Sequence, residues 1–176
     1  DRFHPSLFFL TDFFGGGAAT RAIHPWFGAV LLVSFLLLFV RFVRFNLWNG
    51  DDTRWMGKLG RVLANDEANV PEVGRYNAGQ KIVFWAMALL ILLLFASGVV
   101  LWDSYFAQYK TIWQKRLAAV VHALSAVAII SIWIVHVYAA LWVCGTLRAM
   151  TRGNVTAGWS WRHHRKWLRE QAKRLE

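Results

Sequence analysis

The sequence has 176 residues, of which 57% are hydrophobic and 17% charged, with a formal net charge of +10. A soluble domain carries about a quarter charged residues, and a disordered chain lacks this much apolar surface. One cysteine, Cys144, excludes an internal disulfide framework and any Cys-ligated iron–sulfur or zinc cluster held by this chain alone.

The chain opens on an aromatic stretch, 3–19, with Phe3, Phe8, Phe9, Phe13 and Phe14 interrupted by Pro5, Asp12, Gly15, Gly16 and Gly17. These breaks predict an interfacial segment rather than a span. Residues 22–40 then lack Asp, Glu, Lys and Arg, as do 82–102 and 117–147. A bilayer core takes about 20 apolar residues of helix. The three windows therefore predict transmembrane helices at about 22–42, 80–102 and 117–147, ahead of a soluble core. None has the flanks of a cleaved signal peptide.

The loop 43–79 contains Trp55, Met56, Leu59, Val62 and Leu63 at helical spacing, which predicts a short surface helix. Turns follow at Asn65-Asp66 and Val70-Pro71. The loop runs into Tyr76-Asn77-Ala78-Gly79-Gln80-Lys81. Asn77 with Gln80 three residues on reads as a capping box for the second span. The same run offers two side-chain amides and a glycine for close approach. An amphipathic quinone needs such polar groups beside an apolar slot. Both readings remain open from the residues. After the third span, the tail 148–176 carries Trp161-Arg162-His163-His164-Arg165-Lys166-Trp167, a basic helical segment suited to anionic headgroups or to a partner.

Three spans alternate the flanking segments between two sides. Residues 1–21 and 103–116 hold 5 Lys and Arg, against 15 in 41–81 and 148–176. The positive-inside rule puts the latter two in the cytoplasm. Trp26, Trp48, Trp85, Trp102, Trp113, Trp142, Trp159 and Trp161 fall near the span ends, as in an aromatic belt. This topology leaves Asp1 on the outer face with no preceding span to carry it there. An upstream helix is therefore expected, lost or not included.

Three of the six histidines, His24, His122 and His136, lie in the windows. An ionisable group inside a membrane is a functional candidate, though each alone could equally make an interhelical hydrogen bond. His122 and His136 are 14 residues apart on one span. Fourteen steps return to within about 40° of one helix face and advance about 21 Å. One face thus presents an imidazole near each membrane surface, too far apart to share one ion and suited to two haems. His24 and His122 both belong to the outer leaflet and can ligate one iron from opposite faces. Gly28 lies on the face of His24, where it suits either close approach of a macrocycle or helix packing. His136 has no counterpart at its depth. His163 and His164 lie in the tail, and His4 is on the other side. The expected upstream helix would supply the missing ligand.

The runs Ile23-His24-Pro25-Trp26-Phe27-Gly28, Val40-Arg41-Phe42-Val43, Val73-Gly74-Arg75-Tyr76-Asn77-Ala78-Gly79-Gln80-Lys81, Tyr105-Phe106-Ala107-Gln108-Tyr109, His122-Ala123 and His136-Val137-Tyr138 closely resemble the membrane cytochrome b (gamma) subunit of respiratory formate dehydrogenases. The resemblance covers essentially the whole chain. It implies an all-α transmembrane helix bundle with four helices and two b haems, of which this chain holds three helices, the first being absent. Residues 1–176 are then a single integral-membrane dihaem cytochrome b domain. It implies an outer haem on His24 and His122, and an inner haem on His136 and a histidine of the absent helix. It places the quinone site (menaquinone or ubiquinone) beside the inner haem, at Asn77, Gly79, Gln80 and His136.

Partners implied are an iron–sulfur (beta) subunit with its own membrane helix and a molybdenum or tungsten catalytic (alpha) subunit, which oxidises formate, with a higher oligomer of the complex possible. The location implied is the bacterial cytoplasmic membrane, with a periplasmic N-terminus and a cytoplasmic C-terminus. Electrons then enter at the outer haem and reduce a quinone on the cytoplasmic side, separating charge. Competing readings are the cytochrome b subunit of a membrane-bound hydrogenase and a haem-free membrane anchor. Nucleic-acid binding is disfavoured, because the basic residues flank spans instead of forming one stripe.

Overall fold

A computed structural model of the chain describes residues 12–13, 15–64, 66 and 69–175. Most of the predicted interfacial segment, His4, and Asn65 of the predicted turn lie outside the described residues. All regular elements among the described residues are helical. Three are long: α1 (Gly16–Phe42), α4 (Ala78–Leu101) and α6 (Ile112–Trp142). Short helices α2 (Gly50–Met56), α3 (Leu59–Leu63) and α5 (Asp103–Phe106) lie between them, and α7 (Thr146–Arg152), α8 (Ala157–His163) and α9 (Arg165–Ala172) follow. At about 1.5 Å per residue each long helix exceeds the roughly 30 Å bilayer core, so the fold class is all-α with three helices able to cross a membrane.

The chain divides into two compact units, Asp1–Leu38 with Leu89–Ala128 and Phe39–Ala88 with Ile129–Glu176. In the first unit, Thr111 and Gln114 open α6. The Thr111 N–H donates to Gln114 Oε1 at 2.9 Å, and the Gln114 N–H donates to Thr111 Oγ1 at 3.3 Å. These bonds use two of the four backbone donors that a helix start leaves unpaired. The Trp26 and Trp102 rings meet edge-on at 5.3 Å, and Lys115 pairs with Asp103 at 2.5 Å. No residue of α1 is buried. Pro25 falls inside that helix, where it removes one backbone bond.

In the second unit, α1 ends on a 3-10 turn (Val43–Phe45) and Asn46, whose side-chain amide donates to the Phe42 carbonyl at 3.0 Å. The Trp85 indole N–H donates to the Asn46 carbonyl at 2.9 Å. Phe39 stacks on Phe84 at 5.3 Å. The loop after α1 is built on Asp52. Asn49 caps α2 by accepting from the Asp51 and Asp52 N–H groups, while Asp52 Oδ2 accepts from the Asn49 N–H at 2.7 Å. The same oxygen receives the Lys81 ammonium at 2.7 Å, both side chains being about 96–97% shielded from solvent. Lys81 also donates to the Leu47 carbonyl at 2.9 Å.

The helix expected around residues 55–63 is two helices. Lys58, at φ −114° and ψ 15°, leaves the helical region between Met56 and Leu59. Trp55, Val73 and Ala78 form a small core that Met56, Val62 and Val70 border. Helix α6 closes at Trp142, short of the expected boundary at 147, and the chain then turns through Gly145 at φ +96° into α7. Only glycine holds that angle without strain, and a Cβ there would lie 2.7 Å from Trp159 Cδ1.

The basic tail is partly consumed within this unit. His164 is buried, and its Nδ1–H donates to the Gly74 carbonyl at 2.9 Å. Lys166 bonds Asp51, and Arg169 bonds Glu72 at 2.9 Å. The Lys166 hydrogen bond holds the Asp51 carboxyl below the usual carboxylate range, and the same bond raises Lys166 above the usual lysine range.

Lys81→Met leaves the Asp52 carboxylate buried without its cation, so it is expected to cost about 3–5 kcal/mol, read as a lowered Tm of the detergent-solubilised protein. The Asp51–Lys166 bond has its own pH signature. Asp51, with a lowered pKa, stabilises the folded form above about pH 4 and loses this as pH falls through its folded value. Lys166, with a raised pKa, stabilises below about pH 10 and loses this as pH rises through its folded value. Protease resistance of the tail is therefore expected to be flat between those limits, and lower throughout in Asp51→Asn.

Candidate functional site

Two of the three candidate histidines meet. The His24 ring on α1 and the His122 ring on α6 have centroids 6.1 Å apart and planes at 78°. Two metal–imidazole bonds of about 2 Å each, plus two ring radii, come to about 6 Å between centroids. The centroid separation is of the size that one iron between two imidazoles would require. His24 is exposed and His122 half-buried.

A third helix orients His122. The Ser97 hydroxyl lies 2.9 Å from His122 Nδ1, 2.6 Å from the Leu93 carbonyl and 3.2 Å from the Leu94 carbonyl. A hydroxyl has one proton. A 2.6 Å approach to a carbonyl oxygen needs that proton between the two oxygens. Ser97 Oγ thus donates within its own helix and accepts from His122 Nδ1–H. The imidazole is then the tautomer whose Nε2 carries the free lone pair, as a metal ligand requires. Gly98 completes the seat: a Cβ there would sit 3.5 Å from His122 Cε1. At Gly28 a Cβ would meet no described atom within 4 Å, so no described neighbour packs through that glycine.

His136 belongs to the second unit and is half-buried on α6. No hydrogen bond joins it to a described residue, and no described ring or polar contact links it to Asn77, Gly79 or Gln80. Those three residues cluster at the start of α4. The Gln80 N–H donates to Asn77 Oδ1 at 2.9 Å, and the Asn77 N–H donates to Gln80 Oε1 at 2.9 Å, closing the capping box read from the sequence. The cap uses both side-chain oxygens. The amide nitrogens Asn77 Nδ2 and Gln80 Nε2 make no bond to a described residue. Gly79 packs under the Trp55 ring, whose Cη2 would lie 3.4 Å from an added Cβ. Its lack of a side chain serves that indole. Asn77 also borders a cavity of about 130 Å³ shared with Trp55, Val62, Pro71, Val143 and His163.

Sequence reading missed Ser97 and Asp52. A serine-glycine pair inside an otherwise apolar window was the available signal for the first. Nothing in the spacing of Asp52 distinguished it from the neighbouring Asp51.

A family model described as prokaryotic cytochrome b561 matches residues 3–153. The formate dehydrogenase cytochrome b556(fdo) subunit of Escherichia coli (strain K12) is 42% identical over 172 residues, 98% of this chain and 81% of the relative. The nitrate-inducible formate dehydrogenase cytochrome b556(Fdn) subunit of the same strain is 38% identical, over 97% of this chain and 79% of the relative. The formate dehydrogenase cytochrome b556 subunit of Haemophilus influenzae (strain ATCC 51907 / DSM 11121 / KW20 / Rd) is 35% identical, over 96% and 71%.

Proposed function

The chain belongs to the prokaryotic cytochrome b561 family, and from that premise we propose that it is the membrane electron-transfer subunit of a formate dehydrogenase that delivers electrons to a quinone. As a membrane cytochrome b within an oxidoreductase complex, it carries haem b. The observation that carries the finer reading is the meeting of the His24 and His122 rings, whose 6.1 Å separation suits two side chains that would together hold one haem. His136 would hold a second haem b, together with a ligand from outside the described residues. When bound, these haems supply one-electron transfer between the iron–sulfur centres of a partner subunit and the quinone.

The chain's own side chains do the rest. Imidazoles on α1 and α6 would fix the outer group between two helices. Asn77, Gly79, Gln80 and His136 form the quinone site at the cytoplasmic side. Asn77 and Gln80 are suited to it because capping occupies their oxygens and leaves their amide N–H groups to donate to a quinone carbonyl. The positive-inside distribution supports a cytoplasmic position for 41–81 and the tail, in the bacterial cytoplasmic membrane. The relatives' names support a formate dehydrogenase complex with further subunits; a molybdenum or tungsten formate-oxidising subunit and an iron–sulfur subunit are the partners that the resemblance implies.

In the complex purified from membranes, His24→Ala or His122→Ala is expected to lose one of two b haems. The reduced-minus-oxidised b-type absorbance then falls by about half, and formate no longer reduces quinone. An unchanged spectrum in both variants would sink the ligand assignment. Asn77→Asp keeps the capping oxygen but removes the amide donor. It is expected to retain Tm and haem content while raising the quinone KM, whereas Asn77→Ala also loses about 0.5–2 kcal/mol with the cap. Quinone kinetics equal to wild type in Asn77→Asp would leave Asn77 with the cap alone.

A further inference from the structure

We propose that Ser97 is the positioning residue of the outer haem ligand, setting the tautomer and the donor strength of His122. This rests on the assignment of His122 as an axial ligand.

The geometry has one consistent proton arrangement. Ser97 sits in the apolar helix α4, 94% shielded from solvent. Its proton is committed to the Leu93 carbonyl at 2.6 Å. If that proton pointed to His122 Nδ1 instead, two acceptor oxygens would face each other at 2.6 Å with no hydrogen between them. Nδ1 must therefore be the donor in the 2.9 Å contact. A neutral imidazole protonated at Nδ1 offers Nε2 to a metal. The contact also has an electronic consequence. Drawing the Nδ1 proton towards an acceptor makes the ring a stronger base at Nε2, which favours the more highly charged ferric iron.

Most polar groups inside apolar helices earn their place by satisfying each other. Ser97 does not need His122 for that purpose, because its proton is already bonded within α4 and an alanine would leave no unpaired donor on the helix. The group that depends on the contact is the imidazole, whose Nδ1–H has no other described acceptor. Gly98, next along α4, keeps the ring close: its missing side chain leaves His122 Cε1 at van der Waals distance from where a Cβ would stand.

The test is a potentiometric titration of the b haems in the intact complex, with the low-spin ferric electron paramagnetic resonance signals recorded alongside. Ser97→Ala is expected to shift the midpoint potential of one haem upward and alter its signal, leaving the other haem unchanged. Ser97→Thr keeps the acceptor oxygen and is expected to restore both to wild type. Loss of one haem in Ser97→Ala but not in Ser97→Thr supports the same role. Potentials and signals unchanged in Ser97→Ala would overturn it. So would equal shifts of both haems, or loss of haem in both variants, because a packing role produces those. His122→Ala measured in parallel separates the two levels of inference: if it retains both haems, the ligand assignment itself fails, whatever Ser97 does.

Discussion

Hydrocarbon is as apolar as leucine, so a helix that is apolar all round gains little by turning one face against another in a bilayer. Under that constraint the few polar groups in or beside the long helices carry a disproportionate share of the specificity. Within the first unit the Ser97–His122 contact ties α4 to α6 at one register. Within the second, the Trp85 indole on the Asn46 carbonyl and the Lys81 ammonium on Asp52 tie the base of α4 to the end of α1 and to the loop after it. Each contact leaves an unsatisfied group if the helix slides by one residue, and a penalty of that kind is what defines a register where apolar packing does not.

The start of α4 shows how one short run can be fixed by folding and still keep donors for the proposed quinone site. Asn77 and Gln80 cap the helix with their oxygens. Gly79 admits the Trp55 ring, and Lys81 reaches down to Asp52. A segment fixed by four separate contacts is pre-organised, so the proposed binding of a quinone there would cost little further ordering. The division of labour within each amide, oxygen to the helix and nitrogen left over, is what lets a structural motif keep a donor available.

The net charge of +10 has more than one cause. The distribution of Lys and Arg between the flanking segments is a topology signal. Part of the tail charge is nevertheless internal to the fold, since Lys166 and Arg169 pair with Asp51 and Glu72 while His164 buries against Gly74. Exposed ion pairs are each worth about 0–1 kcal/mol, so the buried His164 contact is the firmer anchor and the two pairs add direction to it.

Windows free of charge for 19 or more residues determined by themselves that this chain makes three membrane-length helices, because a backbone in lipid must satisfy its own hydrogen bonds. Histidine spacing and the matching depths of His24 and His122 made their pairing legible, since helix rise and rotation per residue are constants. The cap at Asn77 was legible because both its partners are local in sequence. What remained hidden were contacts between distant residues. Ser97 sits 25 positions from His122 and Asp52 sits 29 from Lys81. The break between α2 and α3 and the early close of α6 at Trp142 were hidden too. No periodicity encodes which serine an imidazole will find or which of two adjacent aspartates will be buried. Those outcomes depend on how separate helices approach, and only the tertiary structure decided them.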